Sequence, residues 1–260
     1  MPDTVTQVAE ATGWATMPCT LDDGPARRAA IGLIVLMNDT AIEPELRAFL
    51  PSDGVSVYAS RIHMARDVSV AALKAMEKEI PPAMELILPD DHLDVVGFGC
   101  TSGSMAIGPD NVAAAVHKTR PGVPVTNPVS ASMKGLRAVG AKRIALLTPY
   151  PDEVNATVEE FVGGEGFEIA VKGSFKQPGD PEITRVPPDA IFEAGVKLAS
   201  ADVDALFVSC TALRCSSAIQ RIEDAIGKPV VTANQALAWD CLRLAGYSDP
   251  VAGYGRLFTL

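Results

Sequence analysis

The stretch GFGCTSGS, residues 97–104, closes an apolar run, sets a cysteine at its end and continues in small hydroxyl and glycine residues. Together with LDVVGFG at 93–99 it reads as a buried strand ending on a thiol, with a helix opening after it. The pattern returns in FVSCTALRCSS at 207–217, where Cys210 stands 110 positions after Cys100. Aspartate precedes the cysteine by six residues in both copies, DVVGFGC at 94–100 and DALFVSC at 204–210. Two further pairs keep nearly the same spacing. They are GVPVTN at 122–127 with GKPVVT at 227–232, and GLIVLMND at 32–39 with IALLTPYP at 144–151. Three landmarks in one order indicate an internal repeat of two similar α/β halves. A single continuous doubly wound sheet is the competing arrangement.

The rest of the chain fits that repeat. In the first half, apolar runs at 31–37, 55–62, 93–99 and 123–127 read as strands. Helical patterns lie at 43–50, from about 65 to 88 with a break at Pro81-Pro82, at 104–119 and at 129–140. In the second half the strands are 143–149, 167–173, 203–209 and 229–232, and the helices 151–166, 187–200, 216–227 and 234–246. Short β-branched strands between helices indicate buried parallel sheets. The fold expected is α/β, with two pseudo-symmetric lobes, each a four-stranded parallel sheet flanked by helices, and the active site between them. Residues 1–28 read as an irregular segment, 29–130 as the first lobe, completed by 234–260, and 131–233 as the second.

Composition narrows the function. The chain of 260 residues is 48% apolar and 21% charged, an ordinary globular balance. A net charge of −10 without a basic cluster argues against nucleic-acid and anionic-membrane partners. There is no charged-then-apolar leader and no apolar run of about 18 residues, so a cytoplasmic protein is expected. The five cysteines, 19, 100, 210, 215 and 241, form no CxxC pair, which weakens a zinc or disulfide reading. Cys19 and Cys241 read as small buried apolar residues, and Cys215 as a packing residue in a first helical turn. His63, His92 and His117 are scattered, His92 in a solvated loop and His117 on a helix surface. No dinucleotide fingerprint, phosphate loop or metal-spaced cluster occurs, so neither cofactor nor metal is expected.

Ligands of open α/β sheets bind beyond the carboxyl ends of the strands. Cys100 and Cys210 both occupy such ends, so two facing halves would flank one cleft with two thiols. A helix follows each, and its free N–H groups would favour an anion and lower the thiol pKa. The amides and hydroxyls of Thr101, Ser102, Gly103, Thr211 and Ala212 would cradle a carboxylate or an enolate-like oxyanion. Gly103 would let a ligand approach the backbone. Two acid–base groups on opposite faces of one carbon suit racemisation. A thiolate with a thiol also suits addition to a double bond, rotation and elimination. The bland alternative is a pair of thiols that only pack.

These residues resemble the aspartate/glutamate racemase superfamily, in its branch with maleate cis–trans isomerase and arylmalonate decarboxylase, with ectoine-utilisation racemase-like proteins nearest. The resemblance runs over about residues 30–256. It rests on GLIVLMNDTAIEPE (32–45), GCTSGS (99–104), LLTPYPDEVN (146–155), SCTAL (209–213) and GYGRL (253–257). It implies two pseudo-symmetric lobes, a homodimer, a small carboxylate substrate and no cofactor. Its two cysteines fall on Cys100, which in maleate isomerases attacks the alkene, and Cys210, which handles the proton. The decarboxylase has a small residue at the first position, so Cys100 speaks against simple decarboxylation. Its carboxylate-binding tyrosine falls on Tyr150, and a further polar contact on Asp180. Its carboxylate-binding asparagine falls on Asp39, with Asn38 just before it. An acidic residue facing a dianion is repulsive. Either Asn38 binds, or the substrate presents an ammonium or amide there. The expected activity is thus isomerisation of a small carboxylic or amino-dicarboxylic acid. Decarboxylation of a malonate-type acid and non-catalytic binding of a small acid are the alternatives.

Overall fold

The computed structural model describes Trp14, residues 17–64 and residues 70–260. Most of the segment at 1–16, and the start of the expected amphipathic stretch at 65–69, lie outside the described residues. The first sheet holds β1 (Ala29–Leu36), β2 (Val55–Ile62), β3 (Val95–Phe98) and β4 (Val125–Thr126) in the order β2-β1-β3-β4. The second holds β5 (Arg143–Thr148), β6 (Glu168–Ser174), β7 (Ala205–Val208) and β8 (Val230–Thr232) in the order β6-β5-β7-β8. Every pairing is parallel. Two sheets of identical order realise the repeat and exclude one continuous sheet. The repeated aspartates do equivalent work. Asp94 accepts the amide of Ala30 at the start of β1, and Asp204 those of Lys142 and Arg143 at the start of β5. Each fixes the register of a central strand against its neighbour.

The central strands β1, β3, β5 and β7 are almost wholly buried, as strands covered by helices on both faces must be. The covering helices are α1 (Ile42–Phe49), α2 (Val70–Ala75), α3 (Ile80–Glu85), α4 (Thr101–Ile107), α5 (Pro109–His117) and α6 (Pro128–Ala138) in the first half. In the second they are α7 (Asp152–Gly164), α8 (Asp180–Ile183), α9 (Pro188–Ala199), α10 (Ser216–Ile226) and α11 (Ala233–Leu244). Pro81 and Pro82 do not break a helix. They stand in the first turn of α3, where a missing N–H costs nothing. The helix expected at 104–119 instead starts at Thr101 and divides at Gly108, whose φ of 92° ends α4 before Pro109 begins α5. The single turn α8 was not expected.

The halves interlock. Asn127 caps α6 by accepting the amides of Val129 and Ser130, and Thr232 caps α11 in a reciprocal box with Gln235. These two helices pack against each other, and α11 also lies on β3 and α1 of the first half while α6 lies on β7 and β8 of the second. The chain end follows α11, and Phe258 stacks on Phe49 of α1 at 5.8 Å. Beside it Glu45 of α1 reaches the start of α10. Its carboxylate accepts the amides of Cys215 at 2.8 Å and Ser216 at 2.9 Å and the Ser216 hydroxyl at 2.6 Å.

Candidate active site

A cavity of about 80 Å³ opens at the carboxyl ends of the strands, where the sheets face each other. Its wall brings together Cys100, Thr101 and Ser102 from the end of β3, Tyr150 after β5, Asp180 at the start of α8, and Cys210 and Thr211 after β7. It is far smaller than the roughly 300–1,000 Å³ of drug-sized sites. Only a small molecule fits, and both cysteines line the space it would occupy. Asn38, Asp39 and Ala212 are not among the residues that line it.

Cys100 is the cap residue of α4, and its sulfur accepts the Gly103 amide at 3.2 Å. The Ser102 hydroxyl lies 3.9 Å away. A Cβ at position 103 would stand 2.9 Å from that sulfur and 2.5 Å from Cε of Met76. The space beside Gly103 is therefore filled by the thiol and Met76, not left open for a ligand. Cys210 has φ of 110°, a conformation that a side-chain-bearing residue holds only under constraint. The constraint comes from both sides. Asn234 of α11 donates to the Thr211 carbonyl at 2.7 Å, and the Thr211 hydroxyl donates to the Gly99 carbonyl of the other lobe at 3.4 Å. The Thr211 hydroxyl is thereby turned away from acting as a free donor. The Ala212 amide and the Tyr150 hydroxyl act on the Cys210 sulfur. Tyr150 is held by its own carbonyl, which accepts from Asn155 at 2.8 Å and Ser174 at 2.6 Å.

The electrostatics run opposite to the expectation that helix starts lower the thiol pKa. Burial pushes Cys100 up to about 12, and the charge of Asp180 adds to it. Burial and then Asp180 push Cys210 up as well. Two facts overcome the helix contribution. Both cysteines are buried, and the start of α10 is already occupied by Glu45, five residues beyond Cys210. Tyr150 is also raised, first by burial and then by Cys210. Asp180 is raised to about 6, by burial and by Asp39. Asp39 is 1% exposed and caps α1, accepting the amides of Ala41 at 2.7 Å and Ile42 at 2.9 Å. Asn38 has a buried Oδ1 without a partner, as does Thr101 at Oγ1.

Other expectations resolve simply. Cys241 and Cys215 are buried, but Cys19 is exposed, as are its neighbours through residue 23. His92 is exposed and paired with Asp94, and His117 at the end of α5 meets the Val123 carbonyl. Among the described residues no group of three His, Cys, Asp or Glu side chains is placed to hold a metal ion, and no helix is long and apolar enough to cross a membrane. Glu45 and Asn234 escaped the sequence reading. The available signal was a polar residue in an apolar helical face, Glu45 in AIEPE and Asn234 in ANQALAW.

Fold and cavity together define a two-lobed α/β protein in which each lobe brings one buried cysteine to a shared site. The profile of the family described as arylmalonate decarboxylase matches residues 31–258. A maleate isomerase of Geobacillus stearothermophilus is 27% identical over 249 residues, covering 90% of this chain and 98% of its own. An arylmalonate decarboxylase of Bordetella bronchiseptica is 30% identical over 244 residues, covering 90% and 98%. Among solved structures, a mutant Nocardia farcinica maleate cis-trans isomerase with a covalently bound succinylcysteine intermediate superposes with a TM-score of 0.79 at 26% identity, covering 88% of this chain and 98% of that one. The chain belongs to the arylmalonate decarboxylase family, in the branch that its motifs resemble.

Proposed function

We propose that the protein is a cofactor-independent isomerase of a small carboxylic or amino-dicarboxylic acid, acting through Cys100 and Cys210. The observation that carries this reading is the pair of thiols, one from each lobe, on one cavity sized for a small acid. The relatives named maleate isomerase, and the succinylcysteine in one of them, support it. In the cis–trans version, the Cys100 thiolate adds to one alkene carbon and Cys210 protonates the other. After rotation about the new single bond, Cys210 takes the proton back, the C–S bond breaks and the trans alkene leaves. In the racemase version, one sulfur takes the proton from the carbon while the other delivers one to the opposite face. Both versions need one ionised sulfur. The Gly103 amide and Ser102 hydroxyl stabilise it at Cys100, and the Ala212 amide and Tyr150 at Cys210. The amides of Thr101 and Ser102, in the first turn of α4, have no helical acceptor and can take the substrate carboxylate with Tyr150.

The experiment is proton NMR in deuterated buffer with maleate, aspartate, 2,4-diaminobutyrate and an arylmalonate. Either Cys100→Ser or Cys210→Ser is expected to lose at least about 100-fold in turnover. Unchanged turnover in both variants refutes the reading.

A second reading is decarboxylation of a malonate-type acid, with Cys210 protonating the enediolate. An apolar hollow of about 50 Å³ favours it. The hollow shares Ser102, Glu153 and Val154 with the cavity and is otherwise lined by residues such as Leu73, Met105 and Val158. Release of carbon dioxide from the arylmalonate, retained in Cys100→Ser, would select it. We further propose that residues 29–130 with 234–260, and residues 131–233, form the two lobes that hold the site, and that the active species is a homodimer.

A further inference from the structure

This inference rests on the isomerase reading and narrows its substrate. Among the described residues no cationic side chain lines the cavity. Its carboxylates are Asp180 and Glu153, and Glu153 is exposed to solvent. Asp180 is half-buried, and among the described residues no hydrogen bond or ion pair reaches its carboxylate. The charged group it senses is Asp39, a second carboxylate. The cation nearest that pair electrostatically, Arg61, is engaged by the carbonyls of Leu36 and Asp39 and by Glu43. Among the described residues, then, the cavity holds a carboxylate with no cationic partner, which would repel one end of a dianion and attract a cation. An independent feature points to a ligand at the other end. Thr101 is 2% exposed on the same wall, and its Oγ1 is buried with no hydrogen-bond partner among the described residues. A hydroxyl left in that state costs stability until a ligand atom satisfies it.

We propose that the substrate is a zwitterion, an amino-acid-like molecule whose carboxylate is held by Thr101, Ser102 and Tyr150 and whose ammonium is held by Asp180. Such a ligand also explains how a sulfur ionises. Asp180 is the largest charge holding both thiols protonated, and an ammonium against it cancels that charge in both directions at once. The chemical step then balances without a co-reactant. The thiolate removes the α-proton and becomes a thiol, the opposite thiol protonates the other face and becomes a thiolate, and no electrons are transferred.

The test is deuterium exchange at the α-carbon with the full chain. Alanine, aspartate and 2,4-diaminobutyrate serve as zwitterions, and maleate and methylmalonate as dianions. Wild type is expected to exchange at least one zwitterion and to favour it over the dianions. Asp180→Asn is expected to lose about 30-fold or more in kcat/KM for that zwitterion, with Asp180→Glu recovering part of the loss. Asp180→Asn should remain folded by circular dichroism, since no bond to the carboxylate is removed. Reaction of the dianions alone, or a zwitterion rate untouched by Asp180→Asn, overturns the proposal. If the dianions react and Cys100→Ser abolishes it, the isomerase reading survives without this inference. If zwitterion exchange is equal in wild type, Cys100→Ser and Cys210→Ser, or if no compound reacts, both fall.

Discussion

Burial in the cavity wall, and then the charge of Asp39, raise the pKa of Asp180 from 3.8 to about 6. Between about pH 4 and 6 the native protein therefore holds a proton that the unfolded chain has released. Stability falls as pH rises through that window, and the penalty is complete above it. Asp180→Asn removes the penalty. We expect the variant to be more stable than wild type at about pH 7.5 by on the order of 1–3 kcal/mol, with the difference gone below about pH 4. Urea midpoints of both proteins across that range check this, and a difference independent of pH would refute it. A stabilising change at a residue that selects the substrate is the usual trade between function and stability. At Gly103 a substitution would lower both stability and turnover. A Cβ there would crowd Met76 and the Cys100 sulfur. Met76 can swing its methyl aside, whereas the sulfur can only tilt away from its working position. Gly103→Ala is expected to cost about 1–3 kcal/mol of stability, yet to lower turnover at least about tenfold. A thermal melt and the deuterium-exchange assay on one sample separate the two effects.

At the scale of elements, the start of α10 is completed by a residue 170 positions earlier, Glu45 of α1. Its carboxylate takes two amides and a hydroxyl that would otherwise be stranded in the interior. Glu45→Ala is expected to destabilise the protein by about 2–4 kcal/mol, and Glu45→Gln by less, because the amide oxygen keeps part of the contact. Denaturant unfolding of the two variants tests the order. This contact also shows where sequence reading stops. The strands were legible because apolar runs of β-branched residues recur at fixed spacing, and Asp94 and Asp204 marked equivalent strand edges. The cysteines were legible because the repeat put both at strand ends. Pro81-Pro82 misled because proline in a first turn and proline that breaks a helix look alike without knowing where the helix begins. Turn α8, with Asp180, is too short for any periodicity. The direction of the thiol pKa shifts was hidden for a related reason. It depends on burial and on Asp180, which chain folding alone brings beside both sulfurs.

The whole molecule repeats one design twice, yet neither copy closes its own core. Helix α11 covers β3 and α1 of the first half, α6 covers β7 and β8 of the second, and the two helices pack together. Glu45 and the Thr211 hydroxyl join the halves by hydrogen bonds, and Phe258 seats a fully buried ring on Phe49. The cavity depends on these joints, because its two sulfurs come from different halves. Unfolding one half would strip apolar surface from the other, so the halves should unfold together despite their separate sheets. We expect far-UV circular dichroism and the fluorescence of Trp239, in a Trp14→Phe background, to report one coincident urea transition. Trp239 lies on α11 and is 9% exposed, so it senses the joint rather than either sheet. Phe258→Ala is expected to remove about 3–5 kcal/mol and to move both signals by the same amount. Two transitions, or a Trp239 signal that shifts while the circular dichroism midpoint stays, would mean that the lobes are independent units and that the thiol pair is not held by a common core.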